Sequence, residues 1–166
     1  MRDGVSSMKI ECLRGVAVRL LLALMLGLLV VAGYVVAPVL FAKAGSSHEA
    51  GRLAGEIFHV VNNGVIIMAV AVGAFWVRMK STPMLNWSLL LILASLAGIN
   101  EYGVSPIIAE LKLAAGPIDQ LAEGDSLRAK FGMWHGVSAA LHMLAAIASA
   151  ILVVLGGEKR NSCKES

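Results

Sequence analysis

Charge is scarce in this chain. Asp, Glu, Lys and Arg make up 15% of its 166 residues, where a soluble globular domain carries roughly a quarter. Too few polar side chains are present to clothe a water-facing surface, so a soluble domain is excluded. Aromatic residues are also few, at 5%, and no regular alternation of polar and apolar residues appears, which argues against a membrane β-barrel with its aromatic girdles. The two cysteines, Cys12 and Cys163, lie near opposite ends with no CxxC pattern. Neither a disulfide framework nor a zinc finger is therefore indicated. Among catalytic signatures, a Gly-rich phosphate loop, a GxSxG elbow, an HExxH pair and a nucleophile beside an evident base are all missing, so an enzyme is not expected.

The chain is instead 58% hydrophobic, with a mean hydropathy of +0.78 and seventeen glycines. A bilayer core of about 30 Å needs about 20 apolar residues as helix. Four runs meet that length: 20–41, 57–77, 85–109 and 131–155. The expected fold is an all-α integral membrane four-helix bundle over 20–155, with an N-terminal arm at 1–19 and a tail at 156–166. The basic leader and Ala42-Lys43-Ala44 imitate a signal peptide, but an h-region spans about 7 to 15 residues and the first run is longer. It is expected to be a permanent span. No internal repeat suggests the inverted halves of a transporter.

Orientation follows from Lys and Arg near the spans. Nine lie on the side of the termini (Arg2, Lys9, Arg14, Arg19, Arg78, Lys80, Lys159, Arg160, Lys164) and five on the other (Lys43, Arg52, Lys112, Arg128, Lys130). Both termini are therefore expected in the cytoplasm. Trp76, Trp87 and Trp134 fall near span ends, as an interfacial belt requires. A multi-pass protein of the cell membrane, in a bacterium the inner membrane, is the expected location. The net charge of +3 sits beside apolar runs and suits lipid headgroups better than nucleic acid, which is not expected as a partner.

With that topology the polar residues inside spans collect in the outer half of the bundle. His59, Asn62 and Asn63 share a face of the second span at i, i+3 and i+4. Glu101 lies about 12 Å below the outer end of the third span, beside Asn100. His135, Ser138 and His142 share a stripe of the fourth. Polar groups in lipid are costly, so these should point inward and meet one another. Glu101 has no intramembrane Lys or Arg to neutralise it, which leaves protonation with a hydrogen bond to a facing Asn62, Asn63 or His142, a histidinium, or a bound cation.

His59, His135 and His142 are the candidate cofactor ligands. His135 and His142 are about 10.5 Å apart on one helix, so they cannot both ligate one haem iron, whereas His59 and His135 could. A copper site could draw on His135 and Glu101 with Met68 and Met143. Haem b and copper are thus the cofactors to consider, although no ligand spacing here is diagnostic. The glycines that would make room for a porphyrin, Gly64, Gly132 and Gly136, equally suit close helix contact, Gly132 and Gly136 forming a GxxxG pair. A second such pair, Gly51 and Gly55, lies in a loop or amphipathic lead-in. Pro38 and Pro106 are expected to kink or end their helices.

Four segments carry a family resemblance: Val36-Ala-Pro-Val-Leu-Phe41, Ala50-Gly-Arg-Leu-Ala-Gly-Glu-Ile-Phe58, Ser105-Pro-Ile-Ile-Ala-Glu-Leu-Lys112 and Phe131-Gly-Met-Trp-His-Gly-Val-Ser138. Over about residues 15–156 the chain resembles the transmembrane protein 205-like family, small four-helix membrane proteins whose shared domain has no assigned function. Pro106, His135, Gly136 and Ser138 fall on matching positions. His142 stands where Asn would be expected, and Glu101 is peculiar to this chain. The resemblance implies the four-helix fold, a broad link to drug or metal tolerance, and kinship with copper-resistance membrane domains, without a mechanism.

Three functions compete. The first is a non-catalytic subunit or accessory factor that packs against a membrane-protein partner or a second copy. The others are a haem- or copper-binding membrane protein and a small proton-linked transporter with Glu101 as its titrating group.

Overall fold

The computed structural model describes residues 2–79 and 82–156, with side chains from Ile10 onward. Lys80 and most of the tail, with its Lys159, Arg160, Cys163 and Lys164, lie outside the described residues. Four helical rods long and apolar enough to cross a membrane follow one another: Ile10–Lys43, Ser47–Val77, Met84–Ala115 and Ser126–Leu155. No strand occurs among the described residues. The protein is an all-helical, multi-pass membrane protein, as the apolar runs require.

The first rod is built from α1 (Arg2–Val31), a π-helical turn (Ala32–Val36) and α2 (Ala37–Lys43). The second is α3 (Ser47–Val77). The third combines α4 (Met84–Gly98), a π-helical turn (Ile99–Val104) and α5 (Ser105–Ala115), and the fourth is α6 (Ser126–Leu155). The helices overrun the expected spans because local signals carry them on. At α3 the Ser46 side chain accepts from the Glu49 N–H, with Ser46 and Glu49 spaced as in a capping box, so the helix begins ten residues before the apolar run. Asp125 caps α6 by accepting from the Leu127 N–H at 2.7 Å. Gly116, at φ 63°, closes α5 in a conformation glycine adopts without strain. The lead-in holding Gly51 and Gly55 is thus helical.

Pro38 and Pro106 end neither rod. A proline cannot donate to the carbonyl four residues back, and its ring collides with that carbonyl. In both rods the turn just before the proline widens: the N–H of Ala37 bonds the carbonyl of Ala32, and that of Ser105 the carbonyl of Asn100, each five residues back. The strain is absorbed as a π-turn and the helix continues. Both prolines lie four residues after a tyrosine, Tyr34 or Tyr102, and an Arg precedes a His by seven residues in both the second and fourth rods (Arg52 and His59, Arg128 and His135).

The first rod packs on the second and fourth, and the third does likewise. Leu22, Met25 and Leu29 from α1 meet Val65 and Val72 from α3, Leu90 and Leu93 from α4, and Ala145, Ala148 and Leu152 from α6. The alanines let α6 approach closely, a substitute for the hydrophobic drive that lipid does not supply. Where α3 gives way to α4, Trp76 and Trp87 meet edge to face at 5.5 Å. At the other end Lys112 donates to the Gly51 carbonyl at 2.9 Å and Ser47 to Asp119 at 2.9 Å. Gly51 and Gly55 make room for the Lys112 ammonium rather than for a helix.

Candidate functional site

The two π-turns set the polar layer of the bundle, because each receives a histidine from the rod packed beside it. On the third rod the turn carries Glu101, whose side chain is almost fully buried. His59 of α3 turns its Nδ1 onto Glu101 Oε1. Asn62, one helical turn along the same face, donates to Glu101 Oε2 at 3.1 Å. Asn63 anchors the histidine from behind by donating to the His59 carbonyl at 2.8 Å, and it accepts from the Tyr102 hydroxyl at 2.6 Å. The His59 side chain is 63% exposed and that of Glu101 5%. Tyr102 is exposed as well. The dyad therefore opens through the side of the bundle between α3 and the third rod.

On the first rod the turn meets His142 of α6. Its Nε2 donates to the Leu29 carbonyl at 2.8 Å, and its ring stands edge-on to Phe58 at 5.0 Å. Gly33 permits this approach, since a Cβ there would lie 2.7 Å from Nε2. Phe58 precedes His59, and Asn100 precedes Glu101. One level of the bundle thus holds Leu29 and Gly33, Phe58 to Asn62, Asn100 and Glu101, and His142. Within it, His142 Nδ1 and Asn100 Oδ1 are buried without a hydrogen-bond partner among the described residues, as is Ser149 Oγ further along α6. With Nε2 donating, Nδ1 is an acceptor, so both orphans in the layer lack a donor.

The depths read from sequence need correction. His59 is the third residue of its apolar run and Glu101 is expected about 12 Å below the outer end of its own, yet the two touch. Measured from the helix ends, His59 is about 18 Å from Ser47 and Glu101 about 21 Å from Ala115, at 1.5 Å per residue. The apolar runs begin at different heights on the two rods, and the helix ends do not.

Of the residues singled out by sequence, the structure joins His59, Glu101, Asn62 and Asn63. Asn100 and His142 share their level. His135 does not join them: it is exposed and stacks on Phe131 at 5.8 Å. Ser138 is half-buried beside it. Met68 lies in the core while Met143 is exposed. Among the described residues no three His, Cys, Asp or Glu side chains gather into a group suited to a metal ion. Gly64, Gly132 and Gly136 face open space, so among the described residues none makes the close helix contact expected of it. Tyr102, Gly33 and Phe58 were not read as site residues. The shared Tyr-x-x-x-Pro spacing was the available signal for the first two.

Comparison with curated proteins and with solved structures gives no match. Residues 20–117, which carry the dyad but not His135 or His142, match the family described as Domain of unknown function (DUF4149). The match covers more than half of the chain, and the protein belongs to that family.

Proposed function

We propose that this protein is a non-catalytic subunit or accessory factor of a membrane assembly, and that its partner packs over the seam between α3 and the third rod. The observation that carries this reading is the sideways opening of the dyad. His59 is largely exposed on a rod that crosses the membrane, joined to a buried carboxylate that has no Lys or Arg beside it among the described residues. Facing lipid, such a group costs of the order of 3 kcal/mol on translocon scales. A second polar surface removes that cost. The exposed Gly132, Gly136 and Ala140, four residues apart on α6, add a small-residue face of the kind membrane helices use for close association.

In this reading both termini are cytoplasmic, the protein resides in the cell membrane, the bacterial inner membrane included, and its kin within the family are the transmembrane protein 205-like proteins. The partner is a second copy or another membrane protein. A second reading, a small proton-linked carrier, draws on the same pairing of a buried carboxylate with an imidazole that reaches the surface. Mass measurement of the protein extracted in native nanodiscs separates them. The subunit reading expects a species heavier than one chain that reverts to a single chain in Tyr102→Ala; a single chain throughout would favour the carrier.

A further inference from the structure

Arg19 lies half-buried on α1, level with the end of α6. Its Nε donates to the Gly156 carbonyl at the end of α6, at 3.1 Å. Gly156 allows that approach, since a Cβ there would meet the Leu152 carbonyl at 3.0 Å and Leu22 at 3.2 Å. The bond fixes the guanidinium against the fourth rod and leaves its terminal nitrogens for another acceptor. Among the described residues no carboxylate pairs with it. Beside it runs a groove of about 400 Å³ between α1 and α6, lined by Val16, Arg19, Leu20, Leu22, Ala23 and Val153. Val16, Leu20 and Ala23 follow one another at helical spacing along α1, with Leu22 buried beneath. Val16 and Leu20 are exposed, so the groove opens sideways, where the membrane lies.

We propose that this groove binds one anionic phospholipid, the phosphate on Arg19 and an acyl chain along Val16, Leu20 and Ala23. The chemistry of the lining selects the ligand. A soluble anion would gain the guanidinium but nothing from five apolar neighbours, and a neutral apolar molecule would leave the half-buried charge unpaired. A lipid with a net negative headgroup satisfies both, and arginine offers its phosphate a two-pronged hydrogen bond. Basic pockets between membrane helices are recognised sites for such headgroups.

The test is native mass spectrometry of the full-length protein in detergent, titrated with phosphatidylglycerol or phosphatidylcholine of identical acyl chains. One phosphatidylglycerol per chain is expected to be held about tenfold more tightly than phosphatidylcholine. Arg19→Gln should bring the two lipids level, Arg19→Lys should keep part of the preference, and Ala23→Phe, which fills the groove, should weaken both. Arg78→Gln, exposed at the same end but outside the groove, should change nothing. Equal retention of the two lipids by the unaltered protein would overturn the proposal, as would an undiminished preference in a helical, monodisperse Arg19→Gln. If Arg19→Gln fails to fold, Ala23→Phe decides, since unaltered lipid binding there removes the groove as the site.

Discussion

Replacing Gly33 by Ala probes the histidine contact on the first rod. The new Cβ would lie 2.7 Å from His142 Nε2 and 2.9 Å from Cδ2, where ordinary contact begins at 3.4 Å. The ring must therefore retreat by about 0.7 Å. Leu29 sits on the same rod as Gly33, so that retreat also stretches the 2.8 Å bond to its carbonyl to the edge of hydrogen-bond range. Crowding costs about 1–3 kcal/mol. A buried imidazole left without its acceptor costs about 1–3 kcal/mol more, and the helix preference for Ala over Gly returns about 1 kcal/mol. The net loss is about 3 kcal/mol, a combination of those three magnitudes. Reversible unfolding in mixed micelles, followed by circular dichroism, measures it against Gly27→Ala and Gly64→Ala, where a Cβ meets nothing within 4 Å. Both controls should be at least as stable as the parent, by up to about 1 kcal/mol, since they gain the same helix preference without a clash. Adding Gly33→Ala to His142→Ala should cost little further, because the clash is then gone. A Gly33→Ala protein as stable as the Gly27→Ala control would refute the placement of His142.

Three other outcomes are expected. Glu101→Gln should keep an acceptor for Asn62 and lose little stability, whereas Glu101→Ala, which strands Asn62 and His59 together, should cost about 2–4 kcal/mol in the same unfolding assay. A green fluorescent reporter joined after Ser166 should fluoresce in a bacterial host and alkaline phosphatase at the same place should stay inactive, as the nine-to-five distribution of basic residues requires; the reverse pattern would invert the orientation. Purified protein should show neither a Soret band nor stoichiometric copper. Either signal would replace the subunit reading with a cofactor role for His59, His135 or His142.

The four spans were legible because lipid demands long apolar runs, and little else in the chain competes with that signal. Their ends were not. Polar residues such as His48, Glu49 and Arg52 mark where the apolar run stops, but the Ser46 cap and the Lys112 bond to Gly51 hold α3 and α5 helical beyond it. The shared face of His59, Asn62 and Asn63 could be read from helical spacing, and a histidine was one of the partners foreseen for Glu101. The histidine expected to face it was His142, and the structure brings His59 instead, since which one arrives depends on how each rod is rotated about its axis. The π-turns lower the predictability further. Each adds a residue to a helical turn and so re-aims whatever lies beyond it, which sequence spacing at a fixed period cannot register. Gly132 and Gly136 show the opposite error: a packing motif is present, but nothing among the described residues packs against it.

Site-specific photo-crosslinking in native membranes reaches the central claim most directly. A benzophenone amino acid would replace Tyr102, at the mouth of the dyad, and in a parallel protein Leu24, exposed on the first rod. The account predicts one discrete protein adduct from position 102, identified by mass spectrometry as a second copy or one membrane protein, and lipid adducts from position 24. Lipid adducts alone from both positions would show that the seam faces the bilayer, and would contradict a partner over His59 and Glu101.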